Sequence, residues 1–76
     1  MPNSHYETTP AQRKLSAIGR KMMDLAITEK DYVRSGRLST VGSRLTEHGR
    51  PGGKKHEFAV ADLMLVDEVM NMTDEI

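Results

Sequence analysis

The absence of cysteine from a chain of 76 residues is the feature that most limits how this protein can fold. A domain this short buries only about 60% of the surface of its unfolded chain and often depends on disulfides or a metal for stability. Without thiols, neither a disulfide nor a thiolate zinc site can form. The aromatic residues are Tyr6, Tyr32 and Phe58. We therefore predict one small domain with a core of aliphatic side chains and methionine.

The small interior also limits the chemistry that the chain can perform. A ligand pocket typically needs about 300 Å³ or more, which is hard to enclose in so few residues. His5, His48 and His56 lack the spacing of metal ligands, and the sequence has no nucleophile or phosphate-loop motif. We therefore expect no enzymatic activity, no cofactor and no small-molecule substrate.

Hydropathy and the N-terminal residues predict the location of the protein. No apolar run approaches the roughly 20 residues that a membrane span requires. The N-terminus lacks the basic and apolar regions of a signal peptide. We therefore expect a cytoplasmic protein that does not bind membranes.

Opposite charges lie at opposite ends of the chain, although the net charge is zero. All eleven Lys and Arg residues lie at or before Lys55, so residues 1–56 carry a net charge of +6 and residues 57–76 a net charge of −6. The stretch 32–56 alone carries +5. Such asymmetry is typical of a surface that meets a polyanion. The alternative is that the acidic end folds back onto the basic face.

The clearest helix signal begins at Thr9. Thr9 can act as N-cap, Pro10 needs no N–H at the first helical position, and Gln12 can complete a capping box. Apolar residues then recur with the helical period on one face, and the helix should run to about residue 26. These residues are Ala11, Leu15, Ile18, Met22, Leu25 and Ala26.

Two glycines in the middle of the chain are expected to end helices. The segment 28–31 resembles a second cap, with Asp31 in the acidic third position. A short helix should follow and end at Gly36, because glycine readily adopts the left-handed conformation that ends helices. Ser39 should then cap a third helix that ends at Gly49.

The C-terminal third combines a polar turn with an apolar helix. Residues 50–55 are rich in Gly, Pro and Lys and predict an exposed turn, with a short extended piece at 56–58. The last helix, about 60–72, is apolar around most of its circumference and should be buried on more than one side. A second copy of the chain can supply the other side as a homodimer. The contact residues expected for it are Leu65, Val69 and Met70.

This order of elements, over residues 28–72, resembles the small winged helix-turn-helix domains of phage excisionases, MerR-type regulators and phage terminase small subunits. The residues that carry the resemblance are Ser39-Thr40-Val41 opening a helix, Arg44-Leu45 within it, Gly49 ending it, a glycine-and-lysine wing, and the entry from Phe58 to Leu63 into a closing helix. The resemblance implies a mainly α fold of three to four helices, with a short basic wing or hairpin at 50–58. Residues 1–8 would be a flexible arm, 9–72 one helical domain and 73–76 an acidic tail.

The resemblance also implies a function and an origin: a DNA-binding transcription regulator that uses the basic segment 34–55 and is encoded by a phage. Double-stranded DNA would be the partner, with a helix in the major groove and the wing along the backbone. Base-edge or phosphate contacts would come from Ser39, Thr40, Ser43 and Arg44, wing contacts from Arg50, Lys54 and Lys55, and further basic contacts from Arg34 and Arg37.

Three departures from the helix-turn-helix pattern leave other interpretations open. The spacing from Gly36 to Val41 is one residue short, Tyr32 stands where a small residue is usual, and Arg37 stands where the turn usually has an apolar residue. One alternative is an ordinary helical bundle with solvated basic loops. Another is a protein-binding module that modifies a larger machine such as RNA polymerase. In that case Arg13 and Arg20 of the first helix, and the acidic end, would contact the partner.

Overall fold

The computed structural model describes residues 8–72 and contains three α-helices within them: α1 (Pro10–Thr28), α2 (Tyr32–His48) and α3 (Val60–Met72). The described residues include no strand, and the mainly α class expected from the sequence is confirmed. The wing or hairpin predicted at 50–58 has no strand either, because residues 53–59 form an irregular connection after the turn. The predictions for most of the arm and for the acidic tail lie outside the described residues.

The N-terminus of α1 forms as the sequence predicts. The Thr9 hydroxyl accepts a hydrogen bond from the Gln12 N–H at 3.1 Å, and the Gln12 side chain accepts one from the Thr9 N–H at 2.9 Å. Two N–H groups that an α-helix leaves unpaired are thereby satisfied. The helix ends at Thr28, two residues beyond the predicted end.

The predicted helix boundary at Gly36 is wrong, because α2 is a single helix of 17 residues that passes through this glycine. Its N-cap is Asp31, whose carboxylate accepts hydrogen bonds from the N–H groups of Val33 and Arg34 at 2.9 and 3.3 Å. Asp31 is therefore the cap itself and not the third helical residue, and Ser39 lies inside the helix and does not cap one.

Burial explains why α2 continues. A glycine inside a helix costs only about 1 kcal/mol relative to alanine. Unbroken helical periodicity brings Leu38, Val41 and Leu45 onto one buried face. Burying each of these side chains contributes about 1.5–3 kcal/mol, so tertiary packing outweighs the weak local signal to stop.

α1 and α2 form an antiparallel hairpin whose backbones touch at two glycines. A Cβ atom added at Gly19 would lie 2.5 Å from the carbonyl oxygen of Gly42, and one added at Gly42 would lie 2.7 Å from that of Gly19. Near the open end of the hairpin, Gly49 packs against Gln12 and Ser16 of α1. Near the connection, the Ser35 hydroxyl donates to the Ala26 carbonyl at 2.7 Å. These contacts fix the alignment of the two helices along their full length.

α3 closes the core by inserting one face against the hairpin. Leu65 and Val69 of α3 are buried with the inward side chains of α1 and α2, and Phe58 packs against the same cluster. The core is otherwise aliphatic with one methionine, as predicted: Ile18, Met22, Ala26, Leu38, Val41, Leu45, Leu65 and Val69. No helix among the described residues is long and apolar enough to cross a membrane.

Candidate nucleic-acid interface

The side of α2 that faces away from the core carries small polar residues. Gly36, Ser39, Thr40 and Ser43 are all exposed there and define the outer face of α2. The helix is about 25 Å long at the usual rise of 1.5 Å per residue. Small side chains along this length leave the helix narrow enough for another surface to approach its backbone closely. Three of the residues predicted to contact DNA, Ser39, Thr40 and Ser43, lie together on this face.

Arginine flanks the outer face on the side nearest α3. Arg37 and Arg44 lie about two helical turns apart and line a shallow groove of about 340 Å³ with Thr40 and Tyr32. Asp62 of α3 also lines this groove, and its carboxylate lies 3.8 Å from the Arg37 guanidinium. Arg44 forms no ion pair within residues 8–72, which leaves its guanidinium available to an anion.

A second pair of arginines flanks the outer face on the side nearest α1. Arg20 of α1 and Arg50, just past the end of α2, line a concave surface of about 290 Å³ around Ser43 and Thr46. Sequence reasoning assigned Arg20 to a protein interface. The hairpin brings it beside the outer face of α2 instead, which follows once residues 19 and 42 are known to touch. Glu47 is the acidic residue of this surface.

Arg34 lies on a different side of α2 from the outer face. Its Nε atom lies 3.0 Å from Glu29 and its Nη1 atom 3.3 Å from Glu68, so the guanidinium joins the start of α2 to α3. Exposed ion pairs of this kind contribute about 0–1 kcal/mol each. Arg34, predicted from the sequence to contact DNA, is thus engaged in ion pairs within the domain and does not lie on the outer face of α2.

The basic connection after α2 is anchored by a histidine. The His56 N–H donates a hydrogen bond to the His48 Nε2 atom at 2.6 Å, and the His48 ring lies 5.0 Å from the Phe58 ring, centre to centre. Lys54 and Lys55 are exposed in the segment between His48 and His56. The Lys55 Nζ atom donates a hydrogen bond to the His48 carbonyl at 3.3 Å. The predicted wing residues are thus held near the end of α2 without a hairpin.

The predicted contact residues of α3 divide between the core and the surface. Leu65 and Val69 are 4% and 0% exposed, so their side chains cannot meet a partner of the folded protein. The Met70 side chain is 36% exposed and remains accessible to a partner. Among the apolar side chains that α3 exposes, Val60, Leu63 and Met64 line a groove of about 800 Å³ together with Val33 of α2. We call this surface the α2–α3 groove.

Arg13, also proposed for a protein interface, is exposed on the first turn of α1 and donates to the Thr8 carbonyl at 2.7 Å. The alternative in which the acidic end folds back onto the basic segment is met in part, because Glu68 pairs with Arg34 and Asp62 with Arg37. These pairs leave Arg20, Arg44 and Arg50 unpaired among the described residues.

Comparisons with models of protein families, with curated proteins and with solved structures found no significant match to this chain.

Proposed function

We propose that this protein is a small, non-enzymatic DNA-binding transcription regulator that contacts double-stranded DNA through the outer face of α2. The observation that carries the proposal is the arrangement of this face, on which small polar residues are flanked on both sides by arginines that form no ion pair within residues 8–72. Arg44 lies on one side, and Arg20 and Arg50 lie on the other.

The dimensions of the outer face suit the major groove of DNA. That groove is about 12 Å wide and admits an α-helix when the side chains facing it are small. Ser39, Thr40 and Ser43 can hydrogen-bond to base edges or phosphates, and an arginine can pair with guanine through two hydrogen bonds. Arginines on both sides of the helix are placed to meet the phosphates of the two strands, which supply most of the affinity.

The proposal differs from a helix-turn-helix in how the binding helix is supported. A helix-turn-helix has a turn between two short helices, but here the chain is helical at Gly36, where that turn was expected. The binding helix α2 is therefore supported by the long helix α1, against which it packs. Exposed Lys54 and Lys55 in the connection to α3 add positive charge beside the end of α2. They would lie along the backbone as the wing residues of the resembled family do.

The test is fluorescence anisotropy with a labelled mixed-sequence duplex at about 50 and about 200 mM salt, where neutralised phosphates give a steep salt dependence. Each of Arg44→Ala and Arg50→Ala should weaken binding about tenfold at the lower salt and about threefold at the higher, since each contact adds roughly 0.9 to the slope of log K against log salt. Lys30→Ala is the matched control. It removes the same charge from the exposed α1–α2 connection and should change affinity less than about twofold.

The outcomes separate a specific surface from a general effect of charge. If all three substitutions weaken binding equally, DNA attraction is diffuse and the outer face of α2 is not the contact surface. If the wild-type protein stays unbound at about 100 μM and low salt, the affinity is below even ordinary non-specific binding and the proposal fails.

A second candidate function is a protein-binding module that modifies a larger machine such as RNA polymerase. The observation that favours it is the α2–α3 groove, because soluble monomers seldom expose contiguous apolar surface without a partner. Binding to immobilised RNA polymerase should then survive Arg44→Ala and be lost in Met64→Glu. DNA binding has the opposite dependence on the two substitutions.

A further inference from the structure

The α2–α3 groove is apolar along its floor. Val33 and Val60 are 73% and 74% exposed, and Leu63 and Met64 are also more than half exposed. Val60, Leu63 and Met64 follow the i, i+3, i+4 spacing, so they form one stripe along α3. The opposite side of the same helix carries Leu65 and Val69 into the core. α3 is thus apolar on two faces, of which the monomer buries one.

The two edges of the groove carry opposite charges. Asp31, Arg34 and Arg37 line the edge beside α2, and Asp67 and Glu68 of α3 line the other. Arg34 already pairs with Glu68 at 3.3 Å, so Arg37 and Asp67 carry the charge that remains. Asp67 has no basic partner within residues 8–72, and its described contact is a hydrogen bond from the Asn71 amide at 3.4 Å. Within the same range, the acidic partner of Arg37 is Asp62, at 3.8 Å. Each edge therefore retains charge that the monomer leaves incompletely paired.

We propose that the α2–α3 groove is filled by the same groove of a second copy of this chain. A surface with one basic and one acidic edge is complementary to itself when it is rotated by 180°, which is the requirement for a two-fold symmetric dimer. The rotation brings the apolar stripes of the two α3 helices together. It also places Arg37 of each copy beside Asp67, on the acidic edge of the other copy. The inference does not depend on DNA binding, because the outer face of α2 stays exposed.

The size of the groove sets the expected strength of the dimer. α3 has 13 residues and is therefore about 20 Å long, which limits the contact to a few turns of each helix. Stable protein interfaces bury about 800 Å² per partner, and weaker ones bury less. We expect this dimer at the weaker end, with a dissociation constant on the order of 10–100 μM.

The first experiment is sedimentation velocity of the full chain from about 5 to about 500 μM, a range that brackets the expected constant. The wild-type protein should change from monomer to dimer, and Met64→Glu should remain monomeric because a carboxylate would be buried in the contact. Ile27→Glu is the matched control, since Ile27 is 82% exposed at the end of α1 and does not line the groove. It should dimerise like the wild type, and circular dichroism should show all three proteins folded.

A second experiment tests the charged edges. Arg37→Glu and Asp67→Lys should each weaken dimerisation at least about tenfold, because each creates two like-charge contacts across the two-fold axis. An equimolar mixture of the two variants should form heterodimers about as strong as the wild-type dimer, because both contacts are again between opposite charges. Only a contact between Arg37 of one copy and the acidic edge of the other predicts this rescue.

Three results would overturn the inference. A wild-type protein that stays monomeric at about 500 μM would show that the groove takes some other occupant. A dimer that persists in Met64→Glu would lie on another surface. Association that continues beyond a dimer would contradict two-fold closure.

Discussion

Two glycine-to-alanine substitutions in α2 should have different effects on stability. At Gly36 an added Cβ meets nothing within 4 Å, so alanine should gain only its helix propensity, about 1 kcal/mol. At Gly42 the same Cβ would lie 2.7 Å from the Gly19 carbonyl oxygen and 3.0 Å from the Met22 Cβ. The backbone oxygen cannot move aside without separating α1 from α2. Overpacking of this kind costs about 1–3 kcal/mol, and since both substitutions gain the same helix propensity, the two variants should differ by about 1–3 kcal/mol.

Thermal and urea unfolding followed by circular dichroism at the helical band measures both variants. For a domain of this size, 1 kcal/mol moves Tm by about 4–8 °C, so Gly36→Ala should melt higher than the wild type by about that amount, and Gly42→Ala should melt below Gly36→Ala by at least that amount. Gly36→Ala is also a direct test of the continuous helix. In the left-handed conformation of a helix end, alanine would be strained and would lower Tm. That result would refute a helix through Gly36, and a Tm for Gly42→Ala as high as that of Gly36→Ala would refute the close approach of the two backbones.

Three further substitutions test the cap of α2, the buried face of α3 and the anchor of the basic connection. Asp31→Ala should destabilise by about 1 kcal/mol in urea unfolding, because the N–H groups of Val33 and Arg34 lose their acceptor; an unchanged midpoint would place the cap elsewhere. Leu65→Ala should cost about 2–5 kcal/mol, far more than the same change at exposed Leu63, and equal losses would contradict the orientation of α3. His48→Ala should speed hydrogen exchange of the His56 amide, which donates to the His48 ring, whereas continued protection would show that the ring does not hold the connection.

The sequence was informative where a local signal and the apolar period agreed. Thr9, Pro10 and Gln12 predicted the start of α1, and the structure has the capping box that they form. The polar turn after Gly49 and the span of α3 were also predicted, since glycine and proline cannot continue a helix there and the apolar run resumes at residue 60. In each case the residues that decide the structure are neighbours in the chain.

The orientation of α3 could not be predicted from its sequence. Its apolar residues surround most of the helix, so the pattern did not distinguish the face that packs in the core from the face that remains exposed. We assigned Leu65 and Val69 to a partner surface, but packing on the hairpin buries them and exposes Leu63 and Met64 instead. The pairing of Arg20 with the outer face of α2 was missed for a similar reason, because it depends on how α1 and α2 align.

The sequence by itself determined a small, mainly helical, disulfide-free domain, the capped start of α1 and the concentration of positive charge before residue 56, because composition and local hydrogen bonding suffice for these. The tertiary structure alone decided that α2 continues through Gly36, and which faces of α2 and α3 remain exposed. Gly36 shows the physical reason. The cost of a helical glycine, about 1 kcal/mol, is smaller than the gain from burying Leu38, Val41 and Leu45 together, and that gain exists only when α1 and α3 are in place.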